Sequence, residues 1–203
     1  MGEYQKMNTR KEISTIGYQS KEFLIKKLSE LHYNHTISDW MMVYHQPEED
    51  EKKGHWHIWL QPNTQIDSMD LQEILTEFNP MDPSKPFKCI NFHYSQSDDW
   101  IPYCLHDKAY LALKHESRKY HYRKEDIIFC DEDSFDYLYY HAFHSSKWSE
   151  DCIVMNKIIE SMDSPADLLR NGTLTYKDSA SIRNTLWLLN YNHTERGDHV
   201  GHE

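Results

Sequence analysis

His55 and His57 flank Trp56 in the run His55-Trp-His-Ile-Trp-Leu60. Side chains alternate faces along a strand, so this spacing predicts both imidazoles on one face and Trp56 and Ile58 on the other. Two neutral imidazoles side by side make half of a divalent-metal site, and the remaining ligands must come from another segment. The preceding apolar run, residues 40–45, ends in His45. Pairing of the two runs as a hairpin brings His45 back beside His55 and His57, and Glu48 in the connecting loop adds a carboxylate. Three imidazoles with one carboxylate suit manganese, and also admit zinc, cobalt or nickel. One H-x-H pattern in a chain with 14 histidines is weak evidence on its own, because paired histidines on a strand are often plain surface residues.

Tyr103 adds a second kind of chemistry. A helix running over 100–116 puts Tyr103, His106, Asp107 and Tyr110 on one face at i, i+3, i+4 and i+7, with Leu105, Ala109, Ala112 and Leu113 opposite. That expectation places Tyr103 away from the core and beside a cation-rich stretch. Residues 107–124 carry Lys108, Lys114, Arg118, Lys119, Arg123 and Lys124 against Asp107 and Glu116. A tyrosine hydroxyl is a covalent nucleophile, but a pKa near 10 makes it weak without help. A metal on a phosphate supplies that help by polarising the P–O bond and orienting it for in-line attack. Tyr110 is the nearest rival. The plainer reading is that most of the 14 tyrosines are packing residues with a wet hydroxyl.

The elements that must position these groups follow from local pattern. Ser20 is a good N-cap for a helix over 20–34, with Leu24, Leu28 and Leu31 along one face. Strands are expected at 40–45 and 55–60, joined by a polar loop, and a third at 87–93 after a proline-rich connector. A helix over 68–78 presents Leu71, Ile74, Leu75 and Phe78 on one side. Asp98 or Asp99 is the expected cap of the helix that carries Tyr103. Composition shifts near residue 131, and helices are expected beyond it, at 149–162, from Pro165 to Gly172, and after Asp178. The element order implies an α+β fold, an antiparallel sheet with flanking helices, in residues 1–130. Residues 131–203 read as a small all-α domain.

Composition bounds the function. The chain of 203 residues is 13% aromatic, and its Gly and Pro are too few for a low-complexity chain. No apolar run approaches the roughly 18–20 residues of a membrane span, and the first residues lack a signal-like apolar core. The expectation is a cytoplasmic protein with no membrane partner. The four cysteines form no C-x-x-C pair, which argues against a disulfide framework or a zinc knuckle. A formal charge of −11 argues at first against nucleic acid. The acidity is uneven, however. Residues 1–124 hold 16 cationic and 18 acidic side chains, and residues 125–203 hold 6 and 15. The total charge therefore does not decide the partner. No G-x-x-x-x-G-K-[ST] phosphate loop occurs, so an ATP-driven helicase is not built in.

His45, Glu48, His55-Trp-His57-Ile, Tyr103-Cys-Leu-His106 and Lys119-Tyr-His-Tyr-Arg-Lys-Glu-Asp126-Ile together resemble the rolling-circle replication initiators of small Gram-positive plasmids. These belong to the histidine–hydrophobic–histidine (HUH) endonucleases. The resemblance spans roughly residues 11–128 and rests on order and spacing together. The chain has His45-Gln-Pro-Glu48 where that family reads like His-Asp-x-Asp, so Glu48 matches the second acid, and Cys104 follows Tyr103 where leucine is usual. The resemblance implies a divalent metal, Mn²⁺ or Mg²⁺, on His45, Glu48, His55 and His57, with Tyr103 as the catalytic nucleophile. The basic residues Lys108, Lys114, Arg118, Lys119, Arg123 and Lys124 would meet DNA. It further implies site-specific nicking of single-stranded origin DNA through a 5′-phosphotyrosine, a host helicase and polymerase as partners, and a homo-oligomer built by the helical tail, residues 131–203. The alternatives are a non-catalytic origin-binding or repressor protein on the same fold, a relaxase or transposase of the same superfamily, and a metal hydrolase that uses water as nucleophile.

Overall fold

Strand β2 (Ile37–His45) is buried on both faces through Trp40-Met-Met-Val43, as a run with no polar alternation requires. It is the fourth strand of a five-stranded antiparallel sheet. With β1 (Ile13–Gly17), β3 (His55–Pro62), β4 (His93–Tyr94) and β5 (Ile128–Phe129), the order across the sheet is β4-β1-β3-β2-β5. The computed structural model describes residues 12–48, 53–63, 73–78, 93–146, 148–161 and 165–172. The expected strand at 87–93 and helix at 68–78 fall largely outside them, although a helical turn at 73–76 is present.

Helix α1 (Lys21–Tyr33) starts where expected, with the Ser20 hydroxyl accepting the Phe23 N–H at 3.2 Å. Its Leu24, Leu28 and Leu31 pack on Ile13, Trp40, Met42, Ile58 and Leu60, together with Leu75 and Phe78. The opposite face of the sheet, with Met41, Val43 and Trp59, is covered by α2 (Ser97–Cys104) and α4 (Glu132–His144) through Trp100, Ile101, Cys104, Phe135 and Ala142. A third cluster joins α3 (Lys108–Leu113), α5 (Ser149–Ser161) and α6 (Pro165–Arg170) through Ala109, Tyr110, Cys152, Met155, Ile158 and Leu168.

The helix expected over 100–116 is two helices. At the end of α2 the His106 N–H bonds the Tyr103 carbonyl and the Asp107 N–H bonds the Pro102 carbonyl, both at 3.0 Å, with His106 left-handed at φ 51°. That is a Schellman stop, and Asp107 then caps α3 by accepting the Tyr110 N–H at 2.9 Å. The proposed common face of Tyr103, His106, Asp107 and Tyr110 is therefore lost. The cap of α2 also differs from expectation. Gln96 occupies the N-cap without a side-chain bond, and Glu12, from beside β1, accepts the Ser97 N–H at 2.5 Å.

Helix α4 begins just past residue 130, and Asp131 caps it by accepting the Ser134 N–H at 2.8 Å. The Ser134 hydroxyl donates to Asp39 of β2, and Phe135 lies in the same cluster as Met41 and Trp59. The first part of the segment read as a helical tail thus packs on the sheet. Residues 173–203, with the apolar run Leu186-Trp-Leu-Leu189, lie outside the described residues. Among the described residues no helix is long and apolar enough to cross a membrane.

Candidate metal centre

Cross-strand register sets the histidines. His45 stands opposite His55, and Val43 opposite His57, so all four side chains lie on the α2 face of the sheet. The hairpin expected from the sequence is present, and Gly54, just before His55, sits close against the preceding strand. A Cβ on Gly54 would lie 2.6 Å from Tyr44 Cζ and 2.8 Å from the His45 carbonyl oxygen, so only glycine fits without a shift. The result is a buried group of three imidazoles, His45, His55 and His57, with one ligand nitrogen from each within 4.8 Å of the others.

The donor geometry fits a metal ion. The Nε2 atoms of His55 and His57 are 3.0 Å apart. Two nitrogens bound at about 2.1 Å to one ion are about 3.0 Å apart at a right angle and about 3.4 Å apart at the tetrahedral angle. His45 Nε2 lies 2.7 Å from the carbonyl oxygen of Cys104. A carbonyl only accepts, so Nε2 carries the proton and Nδ1 keeps its lone pair for a metal. Burial pushes His45 down to about 3, with the neighbouring His106, His55 and Arg118 acting the same way and the Cys104 carbonyl opposing. Burial likewise holds His57 well below the ordinary histidine range. Both rings are neutral near pH 7, the form that binds metal. These three histidines can hold a divalent ion.

Glu48, the expected fourth ligand, lines the same cavity without joining the group. Its Oε1 accepts the Lys119 N–H at 3.1 Å, and its Oε2 is 3.8 Å from Arg118 Nη1. The cavity, about 110 Å³, is also walled by Gln46, Tyr103, His106 and Arg118. His106, to which the sequence reading assigns no role, is the fourth imidazole there. Its ring centroid is 4.4 Å from that of His45, and its Nδ1 donates to the Tyr120 carbonyl at 2.6 Å. Tyr122 stacks on His45 at 4.6 Å with the planes 4° apart, and its hydroxyl accepts the Gln46 N–H at 2.7 Å. The Tyr103-Cys-Leu-His106 and Lys119-Tyr-His-Tyr122 segments were the sequence signal for these walls.

Tyr103 stands between two spaces. It closes the histidine cavity and also lines a groove of about 430 Å³ with Ser14, Thr15, His57, Tyr94, Trp100 and Tyr110. Its ring is 6.1 Å from that of His57. Burial raises its hydroxyl above the ordinary tyrosine range, and the Arg118 charge opposes that shift. Arg118 Nη2 donates to the Tyr103 hydroxyl at 3.2 Å. The rival, Tyr110, is buried and donates its hydroxyl to Asp99 at 3.2 Å.

The six basic residues do not line one cavity. Arg118 alone among them lines the histidine cavity. Lys108, Arg123 and Lys124 line a separate groove of about 340 Å³ with His121, Tyr122, Tyr139 and Phe143. Lys124 pairs with Asp136 at 2.6 Å and Arg123 with Asp126 at 3.8 Å. Lys114 lies over the Trp148 ring at 4.1 Å and Lys119 over Tyr120 at 5.4 Å. No protein-family model matches the chain, and no curated protein matches it.

Proposed function

We propose that the chain is a metal-dependent endonuclease and strand transferase acting on single-stranded DNA, of the HUH type, and that it initiates rolling-circle replication. The observation that carries this reading is the three-imidazole group with a tyrosine hydroxyl at the wall of the same cavity. A divalent ion there, Mn²⁺ or Mg²⁺, would polarise the scissile phosphate. His45, His55 and His57 would hold it, and Glu48, at the wall of the same cavity, is the carboxylate that could complete the set. Tyr103 attacks phosphorus, the P–O3′ bond breaks, and the tyrosine proton ends on the released 3′-hydroxyl. The 5′-phosphotyrosine keeps the energy of the broken diester, so rejoining needs no nucleotide. The free 3′-hydroxyl primes a polymerase.

The partners follow from this chemistry. Origin DNA enters as a single strand, and Lys108, Arg123, Lys124 and the aromatic rings beside them suit a phosphate chain with stacking bases. A helicase and polymerase would come from the host, in the cytoplasm, and the segment beyond Gly172 would assemble a homo-oligomer. The test is covalent capture. The protein is incubated with Mn²⁺ and single-stranded oligonucleotides carrying a randomised core, then denatured. DNA that stays attached to the chain and maps to Tyr103 is the expected result. Oligonucleotide binding with no denaturation-resistant adduct would favour the non-catalytic origin-binding alternative.

A further inference from the structure

Arg118 lies 15 residues beyond Tyr103, yet its guanidinium reaches back to the Tyr103 hydroxyl at 3.2 Å. Glu116 steadies it there at 3.3 Å, and Glu48 lies 3.8 Å away. Its side chain is only 32% exposed, and Nε is buried with no hydrogen-bond partner among the described residues. A half-buried cation with an unused donor, in the cavity that holds the three imidazoles, does more than the surface role expected of a basic residue in this stretch. Arginine stays charged at any working pH and cannot take the tyrosine proton. Its forked donors suit phosphate oxygens and a developing phenolate.

We infer that Arg118 is a catalytic residue of the proposed strand transfer: it orients the Tyr103 hydroxyl and binds a non-bridging oxygen of the scissile phosphate. The inference rests on the nuclease reading. As the Tyr103 oxygen bonds to phosphorus and the O3′ bond breaks, negative charge builds on the phosphoryl oxygens beside the guanidinium. Donors already aimed at that position lower the barrier without reorganising. The same transition state is crossed when the strand is rejoined. Arg118 therefore assists both directions and leaves the balance between them unchanged.

The experiment measures both directions in the full chain with Mn²⁺, using an oligonucleotide that the wild-type protein captures. Arg118→Ala is expected to slow adduct formation and rejoining by one common factor, about 100-fold or more, while KM for the oligonucleotide changes little. Arg118→Lys is expected to recover part of the rate, and added guanidinium ion part of that of Arg118→Ala. Mn²⁺ affinity, read by calorimetry, should stay near wild type in each. If Arg118→Ala melts early, Arg118→Gln takes its place. Wild-type rates in the neutral variant would overturn the inference, as would a loss confined to KM or to Mn²⁺ affinity. Absence of any adduct with the wild-type protein would instead overturn the nuclease reading, and this inference with it.

Discussion

His45 donates its Nε2 proton to the carbonyl oxygen of Cys104, 2.7 Å away, and Cys104 is the neighbour of Tyr103 on α2. One of the three clustered histidines and the helix that carries Tyr103 are thereby joined by one hydrogen bond. Mn²⁺ binding should slow amide exchange in residues 101–105, measured by hydrogen–deuterium exchange. His57→Ala should weaken Mn²⁺ binding by about 10- to 100-fold or more, and chelator should abolish DNA cleavage. Exchange unchanged by Mn²⁺ would break the link to α2, and full cleavage in EDTA would sink the metal assignment.

Acid should destabilise the metal-free protein through these same rings. Folded His45 takes up a proton only near pH 3, whereas an unfolded histidine does so near 6.5. Between those values the unfolded chain binds more protons, so stability is full above about pH 6.5 and falls as pH drops, by up to roughly 1.4 kcal/mol per unit for each such group. His57 acts in the same direction. Thermal melts from pH 7 to 4 should show the decline, and His45→Gln should flatten it. Equal slopes for the two proteins would show that His45 is not held neutral.

The two tyrosines should separate cleanly. Tyr103→Phe should abolish the covalent adduct while Mn²⁺ binding and the melting temperature hold, since one hydroxyl at a cavity wall is lost. Tyr110→Phe should keep the adduct and lose about 1 kcal/mol of stability, because Asp99 loses a partner. An adduct that survives Tyr103→Phe and vanishes in Tyr110→Phe would reverse the assignment.

Three helices end on a histidine in the left-handed region, His35, His106 and His115, with φ of 56°, 51° and 61°. Glycine takes that conformation without strain. His35 is exposed and lies outside the three-histidine group, so His35→Gly should raise stability by about 1 kcal/mol, read by denaturant titration.

The full-length chain should run as a homo-oligomer in light scattering, and a chain ending at Gly172 as a folded monomer. A chain ending at Phe129 should fail to fold, because it removes Phe135 and Ala142 from the cluster over Met41 and Trp59. A monomeric full-length chain at micromolar concentration would defeat the oligomer.

Local periodicity carried much of this into the sequence. Alternation along residues 55–60 put His55 and His57 on one face, and a hairpin register brought His45 to them, because strand pairing repeats every two residues. Ser20 and the leucines of α1 were equally legible, since an N-cap and a 3.6-residue period are local. The break at His106 was not. A histidine stands where glycine would announce a helix end, and the turn is held by the returning segment, whose Tyr120 carbonyl accepts from His106 and whose Tyr122 N–H donates to the Leu105 carbonyl. Nor was the embrace of Tyr103 by Arg118, or the turning of Glu48 toward Lys119, because neither pairing has a sequence period. Both are set by the path of residues 116–127 back to the sheet, where Ile128 and Phe129 pair with Met42 and Met41. Residue type and spacing specified which groups could meet a metal; closure of that loop over the sheet decided which charge stands beside the tyrosine.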